Sequence, residues 1–133
     1  MKRFEELDHT ADWAFRAYGR DLKELYENAA YALFTLEGAA EGERTITREV
    51  QVAGIDREAV LVNWLSELLY LQETRGEVYG EFHVHTLTPT ALGATIKGGK
   101  SGPLNKFVKA ITYHDLKIEP ISDGWQATVV VDV

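Results

Sequence analysis

The chain has no cysteine, one methionine and three prolines among its 133 residues. Without a thiol it has no cysteine nucleophile, no iron–sulfur ligands and no disulfide framework, which fits a reducing cytoplasm. It has no apolar run near the length of a membrane span, and Met1-Lys2-Arg3 leads into Phe4-Glu5-Glu6 instead of a signal-peptide core. The expectation is a cytoplasmic protein that does not associate with membranes. Positive charge is also scarce: 14 lysines and arginines face 21 aspartates and glutamates, for a net charge of −7. Nucleic-acid binders gain most of their affinity from pairing phosphates with Lys and Arg, so little or no direct nucleic-acid binding is expected. An acidic domain is better placed to bind cations or to approach a basic protein surface. The nearest thing to a basic patch is Lys97-Gly98-Gly99-Lys100, continued thinly by Lys106 and Lys109. It reads as a solvated glycine-rich loop in preference to a phosphate cradle. There is no nucleophile elbow, no Walker-type phosphate loop and no dinucleotide fingerprint.

What is present is an ordinary globular composition, 45% apolar and 26% charged. The length suits one domain over residues 1–133, which can bury roughly two-thirds of its unfolded surface without a metal or disulfide staple. Residues 11–18 alternate with strand period, placing Trp13, Phe15 and Ala17 on one face. Asp21 then caps a helix, with Glu24 placed to complete a capping box, and the apolar stripe from Leu22 to Phe34 ends near Gly38. Residues 44–53 return to period two. Asp56 caps a second helix, apolar around most of its circumference, with a narrow polar stripe of Asn63, Ser66, Glu67 and Tyr70 and a stop at Gly76. Four extended segments follow, at about 78–87, 91–97, 107–118 and 124–132. Thr88-Pro89, Gly98-Gly99 and Asp123-Gly124 are the expected turns. This order predicts an α+β fold, an antiparallel sheet of about six strands with two helices packed on one face.

Several residues could carry chemistry. His83 and His85 leave the same face of a strand, a spacing zinc sites use, although surface histidines read the same way. His114 lies in Lys109-Ala110-Ile111-Thr112-Tyr113-His114-Asp115-Leu116, whose mixed polarity means either an edge strand or a strand passing a cleft. Asp8-His9-Thr10-Ala11-Asp12 could cap a turn or begin a hard-cation site. The chain stays β-forming to Asp132-Val133, setting two carboxylates together. Held side by side they repel unless neutralised, so the end is either a metal site or solvated. Glu67 is one further carboxylate, on the polar stripe of the second helix.

Taken together, four blocks resemble the archease family: His9-Thr10-Ala11-Asp12 with Ala17-Tyr18-Gly19 and residues 22–30; Leu61-Val62-Asn63-Trp64-Leu65-Ser66-Glu67-Leu68-Leu69-Tyr70; Lys109 to Leu116; and Val131-Asp132-Val133. The resemblance implies a small α+β protein that assists the RtcB-type RNA ligase, which joins RNA ends in transfer-RNA splicing with GTP and divalent metal. Archeases promote guanylylation of the ligase and its multiple turnover, and do not join RNA themselves. The matched positions imply a divalent cation, calcium first and magnesium or manganese next, held by Asp12, Asp132 and the terminal carboxylate of Val133. Lys109 is implied in ligase activation, with His9, Glu67 and His114 as weaker candidates. A modulator of transfer-RNA methyltransferases is the alternative within the same biology, and a metal-dependent hydrolase the alternative outside it.

Overall fold

Two aspartates start the helices, as their spacing predicts. A computed structural model describes residues 1–7, 13–40 and 42–133. These form, in chain order, β1 (Phe4–Leu7), β2 (Trp13–Gly19), α1 (Leu22–Leu36), β3 (Ile46–Ala53), α2 (Arg57–Arg75), β4 (Glu77–Thr88), β5 (Ala91–Lys100), β6 (Ala110–Ile121) and β7 (Gly124–Asp132). Asp21 and Asp56 are extended, and each accepts at 2.8 Å from a backbone N–H in the first helical turn, that of Glu24 and of Ala59. The return arm of the expected capping box differs. Glu24 accepts from the Arg20 N–H at 3.0 Å, one residue before the cap, while pairing with the Arg20 guanidinium at 3.1 Å. Gly76 ends α2 in the left-handed region, at φ +65°, where a side chain would be strained.

Among the described residues the seven strands form two antiparallel sheets, ordered β1-β2-β7-β6 and β3-β5-β4. Helix α1 packs against β2 and β4, and α2 against β6 and β3, so each helix touches both sheets. This explains the nearly all-apolar circumference of α2. Leu61, Trp64, Leu65 and Leu68 are fully buried, while Asn63 and Tyr70 remain exposed. The Trp64 indole donates to the Tyr26 carbonyl at 2.9 Å, tying α2 to α1 inside the core. The α+β class and the helix-on-antiparallel-sheet packing therefore hold. The count and partition differ, with seven strands in two sheets where about six in one were expected. Strand β1 was hidden because Phe4-Glu5-Glu6-Leu7 sets two glutamates in succession, and period two alone does not say which strands share a sheet.

A second correction concerns Gly98-Gly99, expected as a turn. Both lie inside β5. Gly98 pairs with Tyr79, and a Cβ there would run into the backbone of Val78 and Tyr79; one on Gly99 would meet the Glu43 carbonyl. The glycines permit close approach. Lys97 and Lys100 accordingly stand on a strand and not on a loop.

The β3-β5-β4 sheet carries an ion pair whose carboxylate is buried and whose guanidinium is half-buried. Arg48 of β3 reaches across to Glu77 of β4, donating from Nε at 2.6 Å and from a terminal nitrogen at 2.8 Å. Glu77 is 3% exposed, and the Tyr79 hydroxyl also donates to it. Hydrogen bonding by the Arg48 guanidinium holds the Glu77 carboxyl at about 2, outweighing its burial. Among the described residues no helix is long and apolar enough to cross a membrane.

Candidate functional site

Strand β7 lies inside its sheet and is flanked on both sides as far as Val131. Trp13 at the start of β2 stands opposite Val131, and Ala110 at the start of β6 stands opposite Asp132. The main-chain N–H of Lys109 donates to the Asp132 carbonyl at 2.7 Å. Lys109 and Asp132 are therefore neighbours through their backbones, and both are exposed. Among the described residues no basic side chain pairs with the Asp132 carboxylate. Val133 follows, 45% exposed. His9 and Asp12 lie outside the described residues.

The segment entering β6 is anchored just before Lys109. Lys106 places its Nζ 4.1 Å from the centre of the Trp13 ring, whose indole donates to Glu6 at 2.7 Å. The Val108 N–H donates to the Glu37 carboxylate at 3.0 Å, and Gln72 donates to the other oxygen of that carboxylate at 2.8 Å. The Glu37 carbonyl accepts from Asn105 at 2.9 Å and from Lys106 at 3.2 Å. Glu37 is fully buried. Burial pushes its carboxyl above the ordinary value, opposed by the bonds from Val108 and Gln72. Beside Lys109, residues including Ser66, Tyr70, Phe107 and Ile111 line a cleft of about 170 Å³.

The other candidates are placed apart. Glu67 is half-buried on α2 and does not line that cleft. His114 sits on edge strand β6, where the pairing register shifts between Thr112 and Lys117. Within that irregularity Asp115 takes φ +54°, and its carboxylate lies 3.3 Å from the His114 ring nitrogen. The extra residues of this bulge turn Tyr113, His114 and Asp115 toward solvent, which accounts for the mixed polarity of the segment. His83 and His85 are exposed on β4 with ring centres 6.1 Å apart, and His85 is 3.5 Å from Glu49. Among the described residues no three His, Asp or Glu side chains converge to hold a metal ion.

The model of the archease protein family matches residues 4–133. The chain belongs to the archease family. Protein archease of Methanosarcina acetivorans is 43% identical over 143 aligned residues, covering 99% of this chain and 97% of the relative. Protein archease of Pyrococcus abyssi is 41% identical over the whole of both chains. The crystal structure of a Thermotoga maritima archease, described as a possible chaperone, superposes with a TM-score of 0.70 at 25% identity, covering 97% of this chain and 96% of that one.

Sequence reading of this archease chain missed Glu37 and Gln72, although a signal was available. Glu37 continues the buried phase of α1 after Ala30, Leu33 and Phe34, and Gln72 continues that of α2 after Leu65, Leu68 and Leu69. A polar residue in an apolar phase marks a buried polar contact.

Proposed function

We propose that this archease chain, as one domain over residues 1–133, is a non-catalytic, cytoplasmic activator of an RtcB-type RNA ligase in transfer-RNA splicing. It promotes guanylylation of the ligase and its multiple turnover, and binds a divalent cation through Asp12, Asp132 and the terminal carboxylate of Val133. The observation that carries this reading is the bond from the Lys109 N–H to the Asp132 carbonyl at 2.7 Å, which joins two of the family's blocks at one end of one sheet. Asp12 is bonded to Trp13, whose partner Val131 is bonded to Asp132, and that connectivity supports a shared site. The donor chemistry fits: carboxylate oxygens are hard ligands suited to calcium, with magnesium or manganese as substitutes. A cation bound there supplies positive charge with coordination positions left for a partner's oxygens. Lys109 adds an ammonium beside it, and the protruding His114 lies on β6, the strand that Lys109 leads into. His9 and Glu67 remain secondary candidates.

The direct test is RNA ligation with limiting ligase. With this protein present, product should exceed ligase several-fold, and without it should stop near one product per enzyme. No stimulation, together with altered activity of a transfer-RNA methyltransferase, would move the assignment to the alternative partner. The cation site has its own test. Extending the chain beyond Val133 converts its carboxylate to a neutral amide, so a C-terminal tag should weaken calcium binding about tenfold or more in calorimetric titration. An N-terminal tag should leave it unchanged. Equal affinities for the two tagged proteins remove Val133 from the ligand set.

A further inference from the structure

The segment from Asn105 to Lys109 precedes β6 and has no strand ladder to hold it. Its backbone N–H groups go elsewhere: those of Asn105, Lys106 and Val108 are all accepted by Glu37, two by its carbonyl and one by its carboxylate. One residue at the end of α1 thus fixes the chain up to the peptide before Lys109, whose own N–H is fixed by Asp132. The carboxylate is in turn aimed by Gln72 of α2.

This arrangement is an expensive way to fill a core. A carboxylate that is 0% exposed meets only an amide and a backbone N–H, with no arginine or lysine among the described residues to neutralise it. The Gln72 carbonyl oxygen is buried without a partner among the described residues. A leucine would occupy the same volume without desolvating charge, but would leave the buried Val108 N–H unmet. What the carboxylate provides is two acceptor oxygens, one aimed at α2 and one at the segment before β6, which is a matter of position more than of stability.

We infer that Glu37 is a positioning residue: its buried carboxylate, aimed by Gln72, holds the 105–108 segment so that Lys109 is presented beside Asp132. The inference rests on the reading that Lys109 activates the ligase. Glu37 itself is fully buried and acts only through the segment it holds.

The test compares Glu37→Met, Glu37→Gln and Lys109→Ala in the limiting-ligase assay, each well below its melting temperature. Glu37→Met removes the acceptor. Maximal stimulation should fall about tenfold in fully folded protein, with the half-saturating concentration little changed, and the Val108 amide should exchange with solvent much faster while that of Val129 in β7 does not. Glu37→Gln keeps an acceptor for Val108, and once the Gln72 amide turns over, the new side-chain nitrogen donates to the Gln72 oxygen, so it should retain at least half the stimulation. A purely structural residue would lower the melting temperature yet leave stimulation intact once the protein is folded. Full stimulation by folded Glu37→Met, or a Glu37→Gln protein as inactive as Glu37→Met, overturns the inference. If Lys109→Ala also stimulates fully, the reading of the site fails; if Lys109→Ala is inactive while Glu37→Met is active, only the positioning role fails. Should Glu37→Met not fold, exchange in the unmodified protein decides: the Val108 amide should be protected as well as that of Val129, and an unprotected one overturns the clamp.

Discussion

Lys109→Ala is expected to abolish ligase stimulation while shifting the melting temperature by no more than about 2 °C. The two effects separate because the residue's structural and chemical contributions come from different atoms. Its structural bond is the main-chain N–H donated to the Asp132 carbonyl, which alanine keeps. Its side chain is exposed, and among the described residues the ammonium has no ion-pair partner to lose. Truncation of such a surface side chain changes stability by roughly 0.5 kcal/mol or less. The function expected to be lost is the activating role proposed for the Lys109 ammonium. Ligation at limiting ligase and a thermal melt on the same preparation check both halves. A folded Lys109→Ala protein that still stimulates fully removes the lysine from the mechanism, and a protein that loses both stimulation and several degrees makes it structural.

Arg48→Met is expected to produce the largest loss of stability, about 3 kcal/mol or more, because it strands the buried Glu77 carboxylate. Both hydrogen bonds of the fork disappear together, and among the described residues only Tyr79 remains as a side-chain donor to Glu77. For a chain of this size the melting temperature should fall by roughly 10 °C. The pH dependence gives an independent check. Glu77 titrates at about 2 in the folded protein, below its ordinary 4.5. A depressed carboxyl contributes stability that is fully present above its unfolded value and is lost as pH falls through its folded value. The gap between wild type and Arg48→Met should therefore be widest above pH 5 and close progressively toward pH 2. Denaturant melts across that range measure it; a gap independent of pH would mean that packing of the arginine stem, and not the ion pair, carries the effect. The double variant Arg48→Met/Glu77→Met should recover much of the loss, since no buried charge is left stranded and only the Tyr79 hydroxyl loses its acceptor.

Much of the fold was legible because short-range chemistry specified it. Asp21 and Asp56 announced the helix starts, Gly76 a stop, and alternation the strands. Where reading failed, the deciding contact was remote in sequence. Gly98-Gly99 has turn composition, but its role is set by Tyr79 on one side and Glu43 on the other. Strand β1 owes its place to pairing with β2, against the local preference of two adjacent glutamates. Of the site, Asp132 and Lys109 could be named from block resemblance, and their adjacency became visible only through the pairing of β6 with β7. Glu37 was overlooked because a glutamate near a helix end looks like a solvated residue unless its phase is counted.

The order β1-β2-β7-β6 has a kinetic consequence. The pairs β1–β2 and β6–β7 join neighbours in the chain, and so does β4–β5, so each can close early with a small loss of loop entropy. Joining β2 to β7 is different: Arg16 and Thr128, hydrogen-bonded across that seam, are 112 positions apart. Contacts of such separation slow folding and form after the local ones have lowered the entropy of closure. The two halves of the sheet thus meet late, along the seam where Trp13 faces Val131. A molecule with its helices and hairpins in place but this seam open would resemble the finished protein by secondary structure, yet would lack the juxtaposition at the end of β7. Activity regained during refolding should therefore lag behind the recovery of helical signal.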